Sequence, residues 1–243
     1  MKPAFLRVAL AILGGALLLA GCSQHGAPAP SAAQQQAQAQ AADAARNLDT
    51  YRQLLRIGND AMAVELGHDI LSRYPGSPAA SEVQQTLRPI EKRWKEVSEK
   101  HRLAALWLYQ VSPMAGGTQS TASIESSGGL SSTPVRLVLR RHTAWGQNVF
   151  LYGSGHGFVC RGNCTIPATV DGKPMGIKAY APSTGEPALM IRDDRAFIAL
   201  LRKAKRITLT VTPVDGEKPL RLLYEVGGFD PAQWAPLARH GKP

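Results

Sequence analysis

Between Leu103 and Val111 the spacing of apolar residues changes from helical to alternating, and that switch divides the chain into two kinds of structure. Before it, Leu48, Tyr51 and Leu55 recur at helical spacing, and Gly58-Asn59-Asp60 reads as a helix stop followed by a fresh cap. Val64, Gly67, Ile70, Leu71 and Tyr74 form a second stripe, ended by Pro75-Gly76. Ser77-Pro78 then supplies a cap and a first-turn proline for a third helix. Pro89 either kinks that helix or starts a fourth, whose Ile90, Trp94, Val97 and His101 share one face.

After the switch the pattern has period two. Val135, Leu137 and Leu139 alternate with Arg136, Val138 and Arg140; Ile207, Leu209 and Val211 alternate with threonines; Leu222, Tyr224 and Val226 alternate with Arg221, Leu223 and Glu225. Half-buried antiparallel strands follow from this. Asp171-Gly172 and Asp215-Gly216 mark turns. One helix interrupts the strands, capped by Asp193-Asp194 and carrying Phe197, Leu200 and Leu201 as its stripe. The Ser/Thr/Gly-rich stretch 116–134 reads as a mobile segment with room for one short strand at Ala122 and Ile124. The expected fold is α+β: an N-terminal helical hairpin or small bundle (43–105), then an antiparallel β-rich, sandwich-like domain with one inserted helix (106–243).

Two resemblances attach to these segments. The stretch AVELGHDILSRYPGSPAASEV resembles the junction of tetratricopeptide-like units in envelope lipoproteins. One such unit is visible over 47–88, whereas solenoids stack about three or more repeats, so a helical hairpin or small bundle is expected instead of an array. Further on come Trp107-x-Tyr109, Phe158-x-Cys160-x3-Cys164, Asp171-Gly172, a capped helix ending in Lys203-x-Lys205, and Gly228-Phe229. That order resembles a β-rich domain of many proteobacterial envelope proteins and, more distantly, the invasion-associated locus B family of secreted proteins. Neither resemblance carries a catalytic residue.

At the N-terminus, Lys2 and Arg7 precede an apolar run from Val8 to Ala20, then small residues and Cys22, which is the three-part layout of a secretory signal. The run falls short of the ~20 residues needed to span a ~30 Å hydrocarbon layer. Leu19-Ala20-Gly21-Cys22 resembles the lipobox of bacterial lipoproteins. That resemblance implies a signal peptide over 1–21 and an acylated, palmitate-bearing Cys22 as first mature residue, holding the protein to the membrane through its acyl chains. Ser23, in place of the aspartate that retains related lipoproteins at the inner membrane, implies the periplasmic face of the outer membrane. Residues 22–42, rich in Ala, Gln and Pro, are expected to be a flexible tether with a reach of roughly 25 Å, its Ala/Gln tail composed of good helix formers.

With Cys22 lipidated, Cys160 and Cys164 remain as an even pair in an oxidising compartment, and Gly162-Asn163 between them permit a tight turn. A disulfide is the favoured reading over a redox centre, which wants two intervening residues and a helix N-terminus, and over zinc, which needs about four ligands where only His156 is near. Gly153-Ser154-Gly155-His156-Gly157 lacks the Lys-Ser/Thr ending of a phosphate loop and reads as a glycine-rich turn, with His156 and His142 as exposed loop residues lacking a carboxylate partner.

Net charge is +10, or +8 once Lys2 and Arg7 leave with the signal (10 − 2). Residues 43–110 are nearly balanced, with ten Lys/Arg against nine Asp/Glu, while 111–243 carry sixteen against nine. Arg202, Lys203, Lys205 and Arg206, joined by Arg140, Arg141 and Arg161, are the candidate surface for an anionic envelope polymer; at the end of a helix the same cations also complement its dipole. Nucleic acid is not an expected partner, and no cofactor or metal is expected. The functional expectation is a non-catalytic, lipid-anchored envelope accessory or adaptor that binds another envelope component. The alternatives are an enzyme or inhibitor acting on wall polymer or lipopolysaccharide, and a secreted host-interaction factor.

Overall fold

The structure is a computed structural model that describes residues 30–127, 134–153, 155–216 and 218–237. The signal, Cys22 and Ser154 lie outside the described residues.

The helix-forming Ala/Gln tail of the tether stretch is already helical, within α1 (Ala32–Arg56). Ser31 and Gln34 form a reciprocal capping box: the Ser31 amide donates to Gln34 Oε1 at 2.8 Å, and the Gln34 amide donates to Ser31 Oγ. With that start, the high helix propensity of Ala and Gln extends the helix although its first turns are exposed. Asn59 caps α2 (Asp60–Arg73) and Ser77 caps α3 (Pro78–Ala105), each side chain accepting from an amide three residues on. Pro89 sits inside an unbroken α3. Tyr51, Ala63, Ile70, Ala80, Val83 and Leu87 build the helical core. Gly67 fits closely there: a Cβ on it would lie 2.8 Å from Leu87 Cδ1, so the Leu87 side chain would have to shift.

The second half of α3 departs from expectation. Residues 95–102 are exposed on every side, Val97 and His101 included, because neither core extends to them. This stretch is a polar strut between two separately cored units, sustained in part by the Glu99–Arg102 pair one turn apart.

The strands are β1 (Trp107–Met114), β2 (Gly117–Glu125), β3 (Arg136–His142), β4 (Gly146–Tyr152), β5 (Asn163–Val170), β6 (Lys173–Tyr180), β7 (Ala188–Ile191), β8 (Ile207–Val211) and β9 (Leu220–Tyr224), with α4 (Asp194–Leu201) inserted before β8. They form one antiparallel sheet in the order β1-β2-β3-β4-β7-β6-β5-β8-β9. Sandwich-like packing is reached by curling this single sheet: just past β2, the Ser127 amide donates to the Leu223 carbonyl at 2.7 Å, so β9 meets the β2 side. Inward residues of all nine strands and of α4 join in one core, including Leu137, Leu139, Leu151, Leu189, Leu209 and Tyr224. The Asp171-Gly172 turn forms the two-residue β5–β6 hairpin, with both residues at positive φ (47° and 83°). The Ser/Thr-rich stretch contains a nine-residue strand, β2, in place of a short one. Its inward side is Ser120, Ala122 and Ile124 and its outward side polar, so only two apolar residues alternate, which muted the pattern.

The two units meet where α3 ends. A Cβ on Gly228 would lie 2.2 Å from the Leu103 backbone, so only glycine admits this approach of the 3-10 turn Val226–Gly228 to the helix. Arg102 Nη1 and Nη2 donate to Glu225 at 3.1 and 2.9 Å, while its Nε donates to Glu99 at 2.7 Å. Trp107, Tyr109, Phe229 and Trp234, scattered in sequence, stack beside this junction.

Candidate functional site

Cys160 and Cys164 form a disulfide, with Cα atoms 5.6 Å apart. Gly162 turns the chain between them at φ 65°, and Cys164 lies in β5 while Cys160 precedes the strand. Among the described residues no group of three or more His, Cys, Asp or Glu is placed to hold a metal ion, and no helix is long and apolar enough to cross a membrane.

The basic run follows α4. Arg202 is its C-cap, and Arg202, Lys203, Lys205 and Arg206 have exposed side chains around buried Ala204. Its backbone is tied down. The amides of Lys205 and Arg206 donate to the Asp171 carboxylate at 2.8–3.2 Å, and the Gly227 amide donates to the Lys205 carbonyl at 3.2 Å. Arg140 and Arg141, grouped with this run on sequence grounds, are taken up by other partners. Arg141 lies 3.7 Å over the ring of Trp234 and donates to its carbonyl at 2.7 Å.

Both histidine expectations change. His156 is exposed as expected, at 81%, yet it has a carboxylate partner: its Nδ1 lies 2.7 Å from Asp215 Oδ1, and its amide donates to Asp215 Oδ2. These two hydrogen bonds hold the Asp215 carboxyl below its usual range. The loops meet because Phe158 bridges to Pro213, a pairing that local spacing does not announce. His142 is no loop residue; it ends β3 with 2% exposure. Its Nδ1 accepts from the amides of Ala144 and Trp145, and its ring stacks on Trp145 at 3.9 Å. The ring proton therefore sits on Nε2, a buried atom without a partner among the described residues.

The largest departure is on the outer face of the sheet. A face turned from the core of an antiparallel sheet ordinarily reads polar. Here Val138, Phe150, Met190 and Tyr180, on four different strands, point outward with Met114 and line a basin of about 470 Å³. Val138 is only 8% exposed. Arg140, half-buried, is part of the lining. Its guanidinium lies 5.2 Å from the Trp145 ring centre and 5.1 Å from that of Phe150, and its Nη2 donates to Asn148 Oδ1 at 3.1 Å. Nε is buried with no partner among the described residues. Burial pulls the guanidinium below the usual arginine value, opposed by the charge of Glu186 on the rim. The signal for this site was present but diffuse: apolar residues at outward positions of strands that adjoin only once the β4-β7-β6 order is known. A second cleft of about 340 Å³ lies between β6 and α4, lined by Met175, Ile177, Ile191, Phe197 and Leu200.

No family model matches this chain, and neither a curated protein nor a solved structure is similar to it.

Proposed function

We propose that the protein is a non-catalytic, lipid-anchored envelope accessory or adaptor that binds another envelope component through its β-domain. The observation that carries the binding reading is the largely apolar, aromatic basin on the outer sheet face, with a half-buried arginine in its lining. Side chains of this kind, a few polar groups among apolar walls, suit recognition. The address rests on the sequence: an acylated Cys22 on the periplasmic face of the outer membrane.

Photo-cross-linking from native envelopes tests the reading, with the reactive group at Tyr152 on the basin rim and, as control, at Lys92 on α3. One stoichiometric protein partner captured from Tyr152 alone supports the adaptor. Enrichment of wall-polymer or lipopolysaccharide fragments supports the rival reading of an enzyme or inhibitor. Mass spectrometry of the mature N-terminus checks the anchor: acylated Cys22 is expected, with processing blocked in Cys22→Ser, and unmodified soluble mature protein from wild-type cells refutes it.

A further inference from the structure

The guanidinium of the half-buried arginine that lines the outer-face basin specifies a chemistry. A buried N–H without an acceptor is rare in folded proteins and unfavourable, more so on a charged group. Arg140 keeps such a donor while its one hydrogen-bonding side chain, Asn148, is neutral. Glu186 is exposed on the rim and hydrogen-bonds Thr184, leaving the guanidinium without a bonded carboxylate among the described residues. A guanidinium in this state selects a planar oxyanion, which it binds through charge-assisted hydrogen bonds.

The walls specify the rest of the ligand. Val138, Phe150, Met190, Met114 and Tyr180 offer apolar contact, and the two methionines adapt to an irregular chain. The floor strands β3, β4 and β7 are interior strands of the sheet with neighbours on both sides, so the basin floor, as distinct from the Met114 wall on edge strand β1, has no free strand edge to which a peptide backbone could add. A volume of about 470 Å³ lies in the range of small-molecule sites.

We propose that this basin binds a small amphipathic monocarboxylate of the fatty-acid type, its carboxylate on Arg140 and its chain over Val138, Phe150 and Met190. The assignment rests on the binding-protein reading and deepens it, but the two fail separately. Cross-linking reports a macromolecular partner, whereas the experiment below reports a small ligand on the purified protein.

The test titrates the full-length mature protein with dodecanoate and with the neutral isostere dodecanol, below the concentration at which either aggregates. Calorimetry gives the affinity, and the Arg140 guanidinium N–H resonances report the site. Saturable one-to-one binding is expected, with dodecanoate at least tenfold tighter than dodecanol and the guanidinium N–H resonances shifting only with the carboxylate. Arg140→Met should bring the two affinities together, and Glu186→Gln should tighten dodecanoate several-fold by removing a like charge from the rim. If Arg140→Met fails to fold, Met190→Trp, which fills the basin from an outward position, should abolish binding of both probes. Equal affinity for acid and alcohol, unmoved Arg140 guanidinium N–H resonances, or unchanged binding in Met190→Trp would overturn the proposal. So would tighter binding of an N-acetylated apolar tripeptide with a free C-terminal carboxylate, which would assign the basin to chain termini.

Discussion

Two adjacent glycines should respond to alanine in opposite directions. A Cβ at Gly228 would meet the Leu103 carbonyl carbon and oxygen at 2.2 Å and the Ala104 nitrogen at 2.4 Å, all backbone atoms of the last turn of α3. Ordinary contact begins at 3.4 Å, so the helix end and the 3-10 turn must separate by about 1.2 Å (3.4 − 2.2). That opening strains the Gly227–Lys205 hydrogen bond and the packing of Phe229 on Trp107, whose ring centres are 4.9 Å apart. Overpacking of this kind costs about 1–3 kcal/mol. At about 4 °C per kcal/mol for a domain of this size, the β-domain transition should fall by about 4–12 °C. At Gly227 the nearest atom would be Leu103 Cδ1 at 3.5 Å, an ordinary contact. Gly227→Ala should therefore be neutral or stabilising by up to about 1 kcal/mol, through the unfolded chain. Scanning calorimetry, with near-ultraviolet circular dichroism to follow the aromatic cluster, separates the two variants. The helical core should melt unchanged in both, since Gly228 touches only the end of α3. If both substitutions leave the β-domain transition where it was, the close approach of α3 to the 3-10 turn does not hold in solution and the junction must be rebuilt.

The same junction has a pH signature. Arg102 holds the Glu225 carboxyl below its ordinary value of 4.5, and Glu99 likewise, so their contribution is full above that value and is lost as pH falls through the depressed folded-state values. A Glu225→Gln variant should show a shallower loss of stability than wild type in the acid range below pH 4.5, measured as the transition temperature against pH. Alkylation without reduction should leave Cys160 and Cys164 unlabelled, and replacing both by serine should cost the β-domain about 2 kcal/mol in urea unfolding, because the closed loop is short. A fragment from His101 onward keeps the Arg102–Glu225 and Leu103–Gly228 contacts and should fold alone with a β-rich circular dichroism spectrum; an unfolded fragment would show that the strut and helical core are needed for the β-domain. Neutralising the exposed side chains of Arg202, Lys203, Lys205 and Arg206 should leave the fold intact, since their hydrogen bonds run through backbone amides and carbonyls and only Arg206 adds a charge near Glu225 and Glu99; if it also weakens and flattens the salt dependence of binding to an anionic envelope polymer, the run is a binding surface.

The sequence by itself determined what short-range physics decides. Ser77 and Asp193 cap helices because a short side-chain oxygen reaches an amide three residues on. Asp171-Gly172 turns a hairpin because both backbones accept positive φ. Leu137, Leu139, Leu209 and Leu222 face the core because period two allows one apolar side. The disulfide was legible for the same reason, with its cysteines four residues apart around a permissive glycine. Only the tertiary structure decided which strands became neighbours. The pairings of β4 with β7 and of β5 with β8 depend on how the whole apolar surface closes. That closure set Asp215 beside His156 across 59 residues and buried His142 under Trp145. It also gathered outward residues of β3, β4, β6 and β7 around Arg140. No local pattern encodes such a site, because its members share a face only after the sheet has curled.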